Sequence, residues 1–301
     1  MDFSKVSPII LFVISLICCI ANSTGKAFYI KRVMKRESEQ YSLNAGMCIV
    51  CVLTLFFLSG CELKGSWYSV LLGVIFGVVT MGGSIFQAKA IKIGPFGYTS
   101  VIINLSTAIT ALSGALFWNE SLSIFKIIGI VLMIGSFFFA IDTESDDEKK
   151  ANVKWFILCL LALLFCVLIG IMQKIHQTSE YKNEATIFLL VAFLTSAIIS
   201  FVGYVCTKRN EKESRNDRKN TKKWLYFVIT LLICGIGAAG NNVLNLYLSG
   251  VMEAALFFPL ANGVPLFASL LVSVLIFREK LKRKQLIGLF VGILAIICLF
   301  I

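Results

Sequence analysis

The chain has 301 residues, 58% of them apolar and 15% charged, with a mean hydropathy of +0.86 and a formal net charge of +11. Soluble domains are about one quarter charged, so these figures exclude an ordinary soluble enzyme, and they equally exclude a disordered, collagenous or disulfide-stapled chain. What remains is a polytopic membrane protein, in which a basic balance reflects loop topology and nucleic-acid binding is not expected.

A span needs about 20 mostly apolar residues. Ten stretches qualify, at 6–25, 42–60, 67–88, 95–118, 123–141, 153–173, 185–206, 224–248, 254–277 and 283–301. They must be helices, because a lipid-embedded backbone finds no outside partner and the runs lack the alternation of a barrel. The first carries its basic flank after the apolar run, at Lys26, Lys31, Arg32, Lys35 and Arg36, which is the reverse of a signal peptide. The five loops after the odd-numbered helices hold 23 of the 28 Lys and Arg residues. By the positive-inside rule those loops are cytoplasmic and both termini face outward, in a multi-pass cell-membrane protein. The acidic stretch Asp142 to Glu148 reads as a solvated hinge, dividing the chain into 1–141, a linker at 142–152, and 153–301.

Five helices on either side of that linker require any repeat of the first half to be inserted upside down. A shift of 159 positions brings Leu112, Leu116, Glu120, Leu122, Ile128 and Gly129 onto Leu271, Leu275, Glu279, Leu281, Ile287 and Gly288. Both copies carry a long apolar helix, a turn containing Glu, and a helix with Gly one turn inside. Glu120 and Glu279 suit the positive end of the helix that follows. Gly129 and Gly288 allow close helix contact. These four are structural positions in this reading.

The two motifs, FWNESLSIFKIIG (Phe117 to Gly129) and IFREKLKRKQLIG (Ile276 to Gly288), resemble those of the drug/metabolite transporter superfamily, in its EamA-like branch. The resemblance implies an all-α membrane fold of ten helices in two inverted five-helix repeats around a central cavity. It also implies a secondary carrier for small organic metabolites, often an exporter, without a cofactor. Relatives are usually drawn with termini inside, whereas the charge count places them outside.

Polar side chains deep in a span usually face a bundle interior or a wet cavity. Helix 4 carries Ser100, Asn104, Thr107, Ala111 and Gly114 on one face, and helix 9 carries Pro259, Asn262, Ser269 and Ser273 with Ala255 and Leu266. Pro259 and Pro265 should interrupt helix 9, as in transporter helices broken near the midplane. Helix 8 adds Asn241, Asn242 and Asn245. The candidate substrate site is therefore Ser100, Asn104, Thr107, Asn241, Asn242, Asn245, Pro259 and Asn262, an amide and hydroxyl lining suited to an uncharged or zwitterionic solute. The competing role for each is hydrogen-bonded glue between helices.

The aromatics Phe86, Phe96, Tyr98, Phe117, Tyr247, Phe257 and Phe258 flank these stripes and could stack a flat substrate. Lys174 and His176 are expected just past helix 6 as solvated loop residues, and Lys26, Lys89 and Lys92 at the cytoplasmic rim. Cys48 and Cys51 form a lone CxxC with no second pair, so no metal site is expected. A channel or receptor is the alternative class, and a lipid-modifying membrane enzyme ranks below it for want of a clustered nucleophile, base or metal set. The expected partners are a small-molecule substrate and membrane lipids, with homodimerisation left open.

Overall fold

Local sequence signals mark three of the helix starts, those at Pro8, Ile124 and Val153. The computed structural model describes residues 5–34, 36–60, 65–94, 96–140, 152–210, 221–277 and 283–301. Among these no residue is in a strand. The helices are α1 (Pro8–Arg32), α2 (Glu37–Leu58), α3 (Trp67–Ile93), α4 (Phe96–Asn104), α5 (Ser106–Phe117) and α6 (Ile124–Ala140). They continue as α7 (Val153–Thr178), a 3-10 turn (Lys182–Glu184), α8 (Ala185–Asn210), α9 (Thr221–Val251), α10 (Ala254–Phe277) and α11 (Arg283–Phe300). Pro8 opens α1, where its missing N–H costs nothing. The Asn152 side chain accepts the Trp155 N–H at 2.8 Å to start α7, and Ser123 Oγ accepts the Lys126 N–H at 3.1 Å to start α6.

Eight of the described helical stretches are long and apolar enough to cross a membrane, α4 and α5 together supplying one at Tyr98–Phe117. Two shorter apolar helices accompany them, Ile124–Phe139 and Ala254–Phe267. Several helices outrun their apolar runs. α1 continues through Lys26 to Arg32, and α7 through Lys174 to Thr178.

The expected break at the helix 9 prolines does not occur: α10 runs through both Pro259 and Pro265. The interruption falls instead in helix 4, at Leu105 between α4 and α5, where no proline stands. Hydroxyl back-bonding accompanies it. Thr110 Oγ1 donates to the Ser106 carbonyl at 2.8 Å and Ser113 Oγ to the Thr110 carbonyl at 2.6 Å, a pattern that bends helices.

The chain forms two compact units, each drawing on both sides of the acidic stretch. The first comprises Met1–Met81 and Ser179–Tyr247. Here α2 packs along α8, and α3 meets α8 at Gly73 and Gly77 with almost no side chain between the backbones. A Cβ on Gly73 would lie 2.7 Å from the Phe188 carbonyl oxygen, and one on Gly77 2.5 Å from that of Ala192. Glu184 fixes the entry to α3: its carboxylate accepts both the Ser66 N–H at 2.8 Å and the Ser66 hydroxyl at 2.7 Å.

The second unit comprises Gly82–Thr178 and Leu248–Ile301. Its main packings are α6 with α11 and α5 with α10. Ala111, Ile130, Met133, Phe137, Ala255, Phe267, Ala295 and Leu299 form its buried core. A Cβ on Gly129 would meet Leu299 Cγ at 2.8 Å and the Ala295 carbonyl at 3.1 Å, so this glycine sets the approach of α6 to α11.

Candidate functional site

In the second unit, the break in helix 4 organises a polar group. Asn104 is the last residue of α4 and Thr107 lies in the first turn of α5. Asn262 of α10 donates its side-chain amide to Thr107 Oγ1 at 3.1 Å. Thr107 is buried, Ser100 and Asn104 are half-buried and Asn262 is exposed. The remainder of the helix 4 stripe is packing rather than site: Ala111 lies in the core and Gly114 is pressed against Glu120 and Ala254. In helix 9, Pro259 is buried, Ala255 belongs to the core and Leu266 packs against it. The side chains of Ser269 and Ser273 lie outside the described residues.

In the first unit, Asn241 and Asn245 share one face of α9 and meet a residue the sequence pattern did not single out, Ser15 of α1. Ser15 Oγ lies 3.0 Å from Asn241 Oδ1 and 2.7 Å from Asn245 Oδ1, and Asn245 Nδ2 donates to Asn241 Oδ1 at 3.3 Å. A serine hydroxyl has one proton, so it serves one of those oxygens at a time, and the cluster has acceptor capacity to spare. Asn242 turns away: its amide donates to the Ala238 carbonyl of its own helix at 2.9 Å. Asn22, two turns along α1 from Ser15, is half-buried against Gly237. The signal that could have found these residues is the spacing of Ser15, Asn22 and Lys26 by seven and four, one helical face.

A third polar group, again within the second unit, corrects two expectations. Lys174 and His176 are not solvated loop residues. They belong to the final turns of α7, with His176 wholly buried and the Lys174 side chain only 3% exposed. Lys174 forms an ion pair with Glu120, itself only 14% exposed, and stands 5.6 Å over the Trp118 ring. Trp118 Nε1 in turn donates to Thr178 Oγ1 at 3.1 Å. Glu120 was expected to favour the helix following it. Its carboxylate instead accepts the N–H of Ala254 at 2.7 Å, at the start of α10, because the turn through Asn119 at φ 52° carries it over Gly114. A Cβ on Gly114 would lie 2.1 Å from Glu120 Oε2, so only glycine leaves room for that carboxylate. Glu253 pairs with Lys126 beside it. Glu279, the counterpart of Glu120, lies outside the described residues, and Gly288 is buried in α11.

The aromatic residues are mostly structural. Phe257 and Phe258 are buried and meet edge to face at 5.1 Å, and Phe86 tilts on Phe165 at 5.4 Å. Tyr98 and Phe117 are exposed.

The model of the EamA-like transporter family matches residues 8–141 and 153–301. None of the curated proteins matches the chain. A protein of known crystal structure is similar in fold, with a TM-score of 0.73 at 14% sequence identity, covering 97% of this chain and 98% of that one. The matched residues take in nearly the whole sequence, and the chain belongs to the EamA-like transporter family, as a multi-pass integral membrane protein of the drug/metabolite transporter type.

Proposed function

We propose that this EamA-like transporter is a secondary carrier that exports small organic metabolites by alternating access, through a central cavity lined by helices of both sequence halves. The observation that carries the reading is the set of hydrogen-bonding amides held inside apolar spans: Asn262 with Thr107, and Asn241 and Asn245 with Ser15. Such groups are costly in lipid and are kept where they face a wet or protein-lined interior.

Ten helices in two inverted repeats, 1–141 and 153–301, fit the helix partnerships. Counting α4 and α5 as one span, the second span packs with the seventh, the fourth with the ninth and the fifth with the tenth. Each is therefore matched to the helix of the same rank in the other half. Two halves related by an axis in the membrane plane produce that pairing. The basic loops favour termini on the outside.

The test is protein-dependent efflux from liposomes loaded with a mixture of amino acids, nucleosides, sugars and organic acids. A carrier saturates with substrate and shows counterflow for one chemical class. Unsaturable release of many solutes would support a channel instead.

A further inference from the structure

Among the described residues, one buried side-chain oxygen or nitrogen lacks a hydrogen-bond partner: Oδ1 of Asn22 in α1. One turn further along the same face stands Lys26, inside the apolar span Pro8–Ile30, and no carboxylate of the described residues pairs with it. The Cys234 thiol of α9 donates to the Asn22 backbone carbonyl at 3.4 Å and Lys26 is half-buried, so the Asn22–Lys26 turn of α1 packs against α9.

Lys26 follows Asn22 by four residues, so both side chains leave the same face of α1 one turn apart. Near Asn22 the helices approach closely: a Cβ on Gly237 would sit 2.8 Å from the Cys18 carbonyl.

An unpaired ammonium in a span and an enclosed carbonyl without a donor are each unfavourable, and they carry opposite requirements. One ligand meets both if it brings a negative group to Lys26 and a neighbouring O–H or N–H to Asn22. We propose that Asn22 and Lys26 form a recognition subsite for a small organic anion that bears a hydroxyl or ammonium beside its carboxylate or phosphate. Ser15, two turns from Asn22, extends the polar face toward Asn241 and Asn245. This narrows the substrate class of the carrier proposed above and rests on that reading.

The full-length protein in nanodiscs is titrated calorimetrically with matched probes: L-lactate, its neutral amide lactamide, pyruvate (which lacks the donor), glycerol 3-phosphate and glycerol. At least one anion should bind wild type at least about tenfold more tightly than its neutral partner, in the range of a charge-assisted hydrogen bond. The carboxylate and phosphate arms identify which anion is preferred. Lys26→Gln should remove the preference and Lys26→Arg should keep it. Asn22→Leu should weaken the donor-bearing anions by about two- to tenfold and leave pyruvate unchanged. Each variant is compared at equal monodispersity by size exclusion, so that misfolding is not mistaken for lost binding. Equal binding of anions and neutral partners, unaffected by Lys26→Gln, overturns the subsite and leaves the carrier reading in place. Failure of every anion to bind folded wild type also overturns it, and the liposome assay then decides the carrier reading separately.

Discussion

Lys174, near the end of α7, places its ammonium on the carboxylate of Glu120, which also receives the N–H of Ala254. One carboxylate thus joins the turn after α5, the end of α7 and the start of α10. Removing one member of a buried pair strands the other charge, at a cost of about 3–5 kcal/mol. Lys174→Met should therefore destabilise the folded protein strongly. The double variant Lys174→Met with Glu120→Gln should lose less than the sum of the single losses, because no charge is left stranded. Thermal unfolding in detergent reads the cycle, and strictly additive losses would show that the two residues are uncoupled.

Gly114 and Gly135 should respond oppositely to alanine. A Cβ on Gly114 would overlap Glu120 Oε2 and Ala254, whereas one on Gly135 meets nothing within 4 Å. Gly114→Ala should lower the unfolding temperature, and Gly135→Ala should leave it unchanged or raise it, by up to about 1 kcal/mol of helix propensity. Equal effects at both sites would refute the close approach of the carboxylate to α5.

The α9 amides should not be equivalent. Asn241 and Asn245 face Ser15, whereas Asn242 bonds its own helix. Asn241→Leu and Asn245→Leu should reduce transport by about tenfold or more at unchanged abundance, while Asn242→Leu keeps most of it. Initial efflux rates normalised to folded protein make the comparison. Loss confined to Asn242→Leu would place the recognising face elsewhere.

Asn262→Leu should act with Thr107→Val as one unit, since each removes the same hydrogen bond. Transport by the double variant should match the weaker single variant. Proportional loss of folded protein in all three would assign the pair to helix glue.

An epitope tag at either terminus should react with an impermeant reagent on intact cells, following the basic loops. Protection of both tags would reverse the orientation.

Hydropathy alone located the apolar runs, because the bilayer imposes a length that composition must satisfy. It did not locate their ends. Lys174 extends α7 past the apolar residues because the helix is packed against protein there, and a buried partner substitutes for water. The helix 4 break was unreadable for a related reason. Proline marks a lost donor in any sequence, whereas back-bonding by Thr110 and Ser113 depends on rotamers. Glu120 was visible as a helix-end acid, but its true recipient, α10, is set by a fold that brings residues 120 and 254 together. Of the helix 8 stripe, spacing alone could group Asn241 with Asn245; it could not name Ser15.

The packing of α2 on α8, of α5 on α10 and of α6 on α11 bears on biogenesis. α2 leaves the ribosome long before α8, its main partner: 127 positions separate Leu58 from Ala185, roughly 6–25 s of synthesis. Throughout that interval the glycine face of α3 at Gly73 and Gly77 has no helix to receive it. The helices before the acidic stretch therefore enter the bilayer before α8, α10 and α11, their main partners, are made. The membrane-insertion machinery, rather than packing within that half, must keep them from associating with other nascent chains.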